Sequence, residues 1–388
     1  MSHRSGRHFL QIPGPTNVPD RVLRALAAPT IDHRGPEFAS LARGVLDGLK
    51  PIFGTTGPVV AFPSSGTGAW EAALVNTLSP GDRVLAFDTG HFAGLWSQMA
   101  RTLGLEVELV RGSWRRGVDP ERVQLRLAAD HDRSIRALMV VHNETSTGVT
   151  SDIRTIRAAV DAAGHPALLL VDTVSSLASM DYRHDEWGVD VTVACSQKGL
   201  MLPPGLGFNA LGERALAAAG DAGLGRSYWD WRAMLAANAD GRFPYTPPTN
   251  LLYGLREALA MLAEEGLENV FARHRRHAEA TRLAVRAWGL EVLCQDPAGY
   301  SSSLTAVLVG GDDDADRVRR VALERYDLSL GAGLGRLAGR VFRIGHLGSL
   351  NDRMLAGTLC GVELSLARGG VGTGRGGVEA ALDHLRGD

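Results

Sequence analysis

Two residues in the middle of the chain have types and positions suited to chemistry. Asp172 closes the apolar run Ala167 to Val171, and Lys198 follows the run Val189 to Ala194 through Cys195-Ser196-Gln197. A carboxylate and an amine at strand ends, followed by a glycine-proline turn, describe a site and not a surface. Composition singles out the amine. Of 41 basic residues only Lys50 and Lys198 are lysine, so arginine serves wherever plain charge suffices. A lysine kept amid apolar sequence points to an amine that loses its proton, attacks a carbonyl and forms a Schiff base.

Ser64-Ser65-Gly66-Thr67-Gly68 lies between a buried-type strand, PVVAF, and a helical stretch from Ala69 to Leu78. Small residues let a ligand approach the backbone, hydroxyls donate, and a helix N-terminus offers free N–H groups to an anion. A tight turn with Thr67 as helix cap accounts for the same residues equally well. Taken together, an amine, a carboxylate and a phosphate cradle on one sheet describe a pyridoxal phosphate site. Lysine holds the aldehyde, an acid keeps the pyridine nitrogen protonated, and a helix end holds the phosphate.

The elements that must position these groups follow from periodicity. Residues 1–20 form an arm in which Pro13-Gly14-Pro15 excludes regular structure. A helix opens at Pro19-Asp20, and an amphipathic helix from Glu37 to Phe53 turns Phe38, Leu41, Val45, Leu46 and Leu49 to one side. From Pro58, strand–turn–helix units repeat: PVVAF, RVLAF, EVELV, ALMVV, ALLLV and DVTVA are continuous apolar strands. That alternation predicts an α/β fold with a mainly parallel sheet ending near Gly207. Asp221 to Pro248 is aromatic-rich and irregular, and helices Leu251–Glu264 and Leu267–Trp288 break at Gly266. Strands EVLC, LTAVLV, DLSLG and RVFRIG with two helices then predict a smaller α+β unit and a glycine-rich tail. The division expected is an arm over 1–20, a large cofactor-binding domain over 21–265 and a small domain over 266–388.

At 388 residues with 45% apolar residues and a net charge of −2, the chain is an ordinary globular protein. Nothing in that balance suggests a nucleic-acid or membrane partner. The N-terminus lacks the apolar core of a signal peptide and no run approaches the length of a membrane span, so a cytoplasmic enzyme is expected. Cys195, Cys294 and Cys360 have neither disulfide nor zinc spacing, and no metal is expected. Gly372, Gly374 and Gly377 fit the dinucleotide fingerprint, but no strand precedes them. The basic run Arg273 to His277 reads as a solvated helix face.

SSGTG, HNETSTGV, VDTVSS, SQKGLMLPPG, YTPP and FRIGH occur in this order across the chain. Together they resemble the class V aminotransferases of fold type I, closest to the serine–glyoxylate and alanine–glyoxylate branch. The resemblance runs from Pro13-Gly14-Pro15-Thr16-Asn17 to the final helix, and it implies a seven-stranded large sheet. By this likeness Lys198 is the Schiff-base lysine and Asp172 the partner of the pyridine nitrogen. Ser65, Gly66, Thr67 and Gln197 are phosphate ligands, Phe92 stacks on the ring where other members have tryptophan, and Thr145 lies beside it. Thr246 reaches the phosphate of a partner subunit. A tyrosine of the family is replaced by Phe243, its hydroxyl absent or supplied by Tyr245. Arg343 holds the substrate carboxylate, although taken alone it reads as an exposed strand residue. His33 and Arg34 lie near the substrate entrance, where a solvated turn fits them as well.

The activity so implied is transfer of an amino group from serine to glyoxylate by a homodimer with sites at the subunit interface. Aspartate–glyoxylate and alanine–glyoxylate or serine–pyruvate transfer are the alternatives within the fold, with Arg34 available to a second carboxylate. A non-catalytic α/β nucleotide-binding protein is the alternative from another class, disfavoured by the missing P-loop. A cysteine desulfurase is disfavoured because no cysteine lies on a loop suited to attack.

Overall fold

The runs that end near Asp172 and Lys198 are neighbouring parallel strands, Leu168–Asp172 and Val191–Cys195, at the centre of a seven-stranded sheet. The structure, a computed structural model, describes residues 5–310, 314–371 and 375–387. Sheet order is Val59–Ser64, Gly205–Leu211, Val191–Cys195, Leu168–Asp172, Ile135–Val141, Arg83–Asp88 and Glu106–Arg111. All strands run one way except Gly205–Leu211, which opposes both neighbours. Helices cover both faces. Pro36–Phe53 and Thr249–Glu265 pack on one, Gly66–Thr77 and His91–Thr102 on the other. Both central strands are therefore buried at every residue, which is why their apolar runs are continuous and not alternating.

A second sheet orders Phe9–Gln11, Leu328–Ala332, Val341–Gly345, Leu304–Leu308 and Glu291–Val292. It shares a core with helices Leu267–Ala287, Ala315–Tyr326 and Asp352–Gly369. Among the described residues, no helix is long and apolar enough to cross a membrane, and no group of acidic, cysteine or histidine side chains could hold a metal ion.

Several expectations are corrected. The large sheet does not end at Gly207. Gly205–Leu211 is its seventh strand, disguised by Gly207 and Asn209 in its interior. The arm is not irregular throughout, because Phe9–Gln11 pairs in parallel with Leu328–Leu330. Helix Trp231–Ala239 lies inside the supposedly irregular aromatic stretch. In the expected glycine-rich tail, Gly377 opens the helix Gly377–Arg386, while Gly372 and Gly374 lie outside the described residues.

The basic run is not a solvated face either. His274 and His277 are fully buried, Arg273 pairs with Glu265 and Arg276 with Asp352. Arg273 also donates to the carbonyls of Gly348 and Leu350, so the run is a seam to the segment that follows Val341–Gly345.

Candidate active site

Lys198 sits in a tight turn between two strands, and the turn is fastened at several points. Ser196 N–H donates to Leu206 O at 3.0 Å, Ser196 Oγ to Pro203 O at 2.8 Å, and Leu202 N–H to Ser196 O at 3.1 Å. The antiparallel strand Gly205–Leu211 thus anchors the lysine. The N-terminal arm completes its surroundings. Thr16 N–H donates to Gln197 O and Thr16 Oγ1 to Lys198 O, both at 3.1 Å, while Lys198 Nζ donates to Pro13 O. Gly14 lies against the lysine stem at φ +95°, and a Cβ there would overlap Lys198 Cδ, Cε and Nζ. Burial lowers the Lys198 ammonium to about 8, and the nearby Arg343 pushes in the same direction. An amine so placed exchanges protons near neutral pH.

Asp172, 3% exposed, accepts from Val174 N–H at 2.6 Å on Oδ1 and from Trp70 Nε1–H at 3.1 Å on Oδ2. Burial pushes its carboxyl up to about 7, Glu144 adds to the rise, and the two hydrogen bonds and Lys198 oppose it. The group is thereby poised to respond to a nearby cation.

The serine-glycine segment is shorter than its sequence suggests. Strand Val59–Ser64 runs directly into helix Gly66–Thr77 with only Ser65 between them. Ser65 makes no side-chain cap hydrogen bond, so the first N–H groups of the helix stay available to an anion. At Gly66 a Cβ would come within 2.6 Å of Val174 Cγ2, and at Gly68 within 2.6 Å of Trp229 Cη2. Gly66 lets the helix end close on Val174, next to Asp172, and Gly68 lets it close on Ser64 and Trp229. Beside Lys198, Gln197 Oε1 is buried and accepts no hydrogen bond among the described residues. Thr67 is exposed. A narrow helix end with free N–H groups, an orphaned amide oxygen, a buried carboxylate and a buried amine make a donor and acceptor set that fits pyridoxal phosphate.

On the opposite side, Phe92 is the second residue of helix His91–Thr102 and meets Trp70 edge-on at 6.4 Å. Glu144, fully buried, receives Phe92 N–H at 3.3 Å, Ala93 N–H at 3.0 Å and Ser146 Oγ–H at 2.6 Å. The next residue, Thr145, donates to Ser175 Oγ at 2.7 Å. Arg343 is buried and not exposed as its strand context suggests. It donates Nε–H to Ala332 O and Nη1–H to Thr145 O, both at 2.7 Å. Two backbone carbonyls orient the fork, and burial lowers the guanidinium to about 10. The structure therefore gathers Lys198, Asp172, Gln197, Thr145 and Arg343 with the Ser65–Gly66 helix start and Phe92.

Other candidates lie further out. Tyr245 stacks on Tyr228 at 4.3 Å and donates its hydroxyl to Tyr228 O at 3.1 Å, while Tyr228 reaches Pro63 O at 3.3 Å. Phe243 packs edge-on against Phe38. Thr246 and Arg34 are exposed and His33 is half-buried; Arg34 N–H donates to Asp32 Oδ1. Among the described residues, no hydrogen bond within one chain ties His33, Arg34 or Thr246 to the Lys198 group.

A family profile described as aminotransferase class-V matches residues 8–334. The chain belongs to the class-V aminotransferases. This class-V enzyme is 51% identical to the serine–glyoxylate aminotransferase of Methylorubrum extorquens, over 99% of this chain and 98% of that protein. It is 48% identical to the L-aspartate–glyoxylate aminotransferase of Paracoccus denitrificans, over 97% of this chain and 95% of the relative. The solved pyridoxamine–pyruvate aminotransferase of Mesorhizobium loti superposes with a TM-score of 0.93 at 28% identity, covering 100% and 99% of the two chains. The fold type I architecture of the class-V aminotransferases is the one found here.

Pro13, Gly14, Thr16, Trp70 and Glu144 are contacts of this class-V site that sequence reading missed. Glu144 stands inside the HNETSTG motif, and the Pro-Gly-Pro run is conspicuous, yet neither reveals a partner far away in the chain. Gly14 offers a direct test. Gly14→Ala forces a Cβ onto Lys198 from a left-handed backbone, an overpacking worth about 1–3 kcal/mol. Capture of pyridoxal phosphate, read by visible absorbance, is expected to weaken by roughly 10- to 100-fold. Unchanged capture would show that the arm does not confine the amine.

Proposed function

We propose that this protein is a pyridoxal-phosphate aminotransferase that moves the amino group of serine to glyoxylate. The observation that carries the cofactor reading is the pairing of a buried amine, Lys198, with a buried carboxylate, Asp172, beneath one helix N-terminus. Bound pyridoxal phosphate supplies an aldehyde that takes up amino groups and a protonated ring that takes up electrons from the substrate α-carbon. Lys198 Nζ anchors the cofactor and then moves the α-proton of the donor, a task suited to an amine lowered to about 8. The Asp172 carboxylate holds the ring nitrogen's proton. The N–H groups after Ser65, with the Thr67 hydroxyl and the side-chain NH2 of Gln197, would hold the phosphate. Phe92 backs the ring and Thr145 borders it. Arg343 holds the donor carboxylate and later that of glyoxylate, with its fork fixed by Ala332 O and Thr145 O. In sum, serine and glyoxylate become hydroxypyruvate and glycine in two half-reactions with ping-pong kinetics.

The choice of serine rests on the 51% identity to the Methylorubrum enzyme. Aspartate is the second reading, favoured by the 48% identity to the Paracoccus enzyme and by exposed Arg34, which could meet a second carboxylate. A panel of amino donors with glyoxylate decides between them. The kcat/KM for serine is expected to exceed that for aspartate and alanine by at least about tenfold, the discrimination of one charged or polar contact. A preference for aspartate overturns the serine assignment. A homodimer in the cytoplasm belongs to this reading, with Thr246 and Tyr245 serving the partner's phosphate site and His33 and Arg34 at the entrance. So does the division into a large and a small domain near residue 265.

A further inference from the structure

Trp70 is the fifth residue of the helix that begins at Gly66, and it is buried there. A buried indole still needs a partner for its N–H. Trp70 is 4% exposed, and its partner is the Asp172 carboxylate, 3.1 Å from Nε1. The neighbouring indole shows that packing alone does not demand this bond. Trp96 stacks on Trp70 at 5.8 Å and 13°, is buried as deeply, and its Nε1 has no partner among the described residues.

Asp172 is thus held from both sides. Val174 N–H occupies Oδ1 and Trp70 Nε1–H occupies Oδ2, which sets the plane of the carboxylate and leaves one lone pair on each oxygen. Donors to a buried carboxylate favour its charged form. The same indole meets Phe92 edge-on at 6.4 Å, so one side chain touches both Phe92 and Asp172.

We propose that Trp70 is a positioning residue for the cofactor ring, keeping Asp172 ionised and in plane through its N–H and bracing Phe92 through its ring. The inference rests on the pyridoxal-phosphate reading above. The charged or titratable groups that bear on Asp172 are Glu144, Lys198, Cys195 and Tyr182. None of them changes when the indole N–H is removed, so a change in the pH dependence belongs to Trp70.

Trp70→Phe deletes the N–H and keeps an aromatic ring. Pyridoxal phosphate binding to the apoprotein, titrated by absorbance between about pH 6 and 9, is expected to weaken roughly tenfold near neutrality and to recover at higher pH. In an Asp172→Asn background the same change is expected to have little effect on binding, because the coupled partner is gone. Equal affinity and an unmoved pH dependence in Trp70→Phe, with normal binding by the wild type, overturn the role of Trp70 alone. Failure of the wild type to bind pyridoxal phosphate overturns the cofactor reading and this inference with it.

Should Trp70→Phe fail to fold, the indole N–H resonances of the wild type serve instead. One resonance is expected to titrate with Asp172 and to lose that titration in Asp172→Asn. A set of indole resonances indifferent to both overturns the proposal.

Discussion

Lys198→Ala is expected to fold like the wild type and to lose transamination by on the order of 10⁴-fold, the upper range for removal of a positioned proton-transfer group. Two losses combine at one atom. The variant has no amine to anchor the cofactor covalently and none to carry the α-proton. Lys198→Arg should fail nearly as badly, because a guanidinium keeps its charge where the lysine ammonium is lowered to about 8 by burial. A single-turnover assay with serine measures the loss, and reduction with borohydride followed by peptide mass analysis measures the anchor. A variant that keeps more than about one hundredth of the wild-type rate, or a wild-type chain whose reducible cofactor attaches elsewhere, would remove Lys198 from the mechanism.

Asp172→Ala is expected to be the next most damaging change. Removing one member of a buried charge pair costs about 3–5 kcal/mol, because the other charge is left without a partner. For a rate that depends on the protonated ring nitrogen this is a loss of about 10²–10⁴-fold. Asp172→Glu should not restore activity, since an extra methylene moves the carboxylate away from the Val174 N–H and Trp70 Nε1–H that fix it. The pH profile adds a check with a definite sign. Burial holds the Asp172 carboxyl up at about 7, so without cofactor it is protonated in acid and ionises as pH rises. Cofactor affinity should therefore fall as the solution is acidified through neutrality. A flat affinity across that window, together with an active Asp172→Ala, would dismiss the carboxylate.

The expected architecture and the central pair were legible for a physical reason. Strands buried on both faces are written as unbroken apolar runs, and a rare lysine at the end of one stands out in an arginine-rich chain. What escaped reading depends on distance or on mixed signals. Gly205–Leu211 carries glycine and asparagine because Gly207 lies against Ser65 and Asn209 bonds the carbonyl of Ala69. Its unstrandlike residues exist to serve the neighbouring helix. Trp70 is core, but its polar atom points at a residue more than a hundred positions away, which its own segment does not announce. Arg343 looked exposed because arginine usually is, and the carbonyls of Thr145 and Ala332 together with the nearby Glu144 carboxylate make its burial tolerable. Glu144 lay within a quoted motif without a role, since its partners are the backbone N–H groups of a helix start that no pattern in its own segment announces.

The arm over Lys198 ties the order of assembly to function. Ile12 and Pro13 lean on Gly345 and Gly331, Phe9 pairs with Leu328, and His8 bonds Asp327 across 319 positions of sequence. Synthesis proceeds from the N-terminus, so this arm leaves the ribosome long before the strands that hold it exist. A nascent chain halted ahead of residue 328 already has the lysine, the aspartate, the helix from Gly66 and the Thr16 bonds to Gln197 and Lys198, but it lacks the strands against which Phe9 to Pro13 pack. The seating of Phe9 to Pro13 thus waits for strands near the end of the chain, and the first residues made are among the last to take their place.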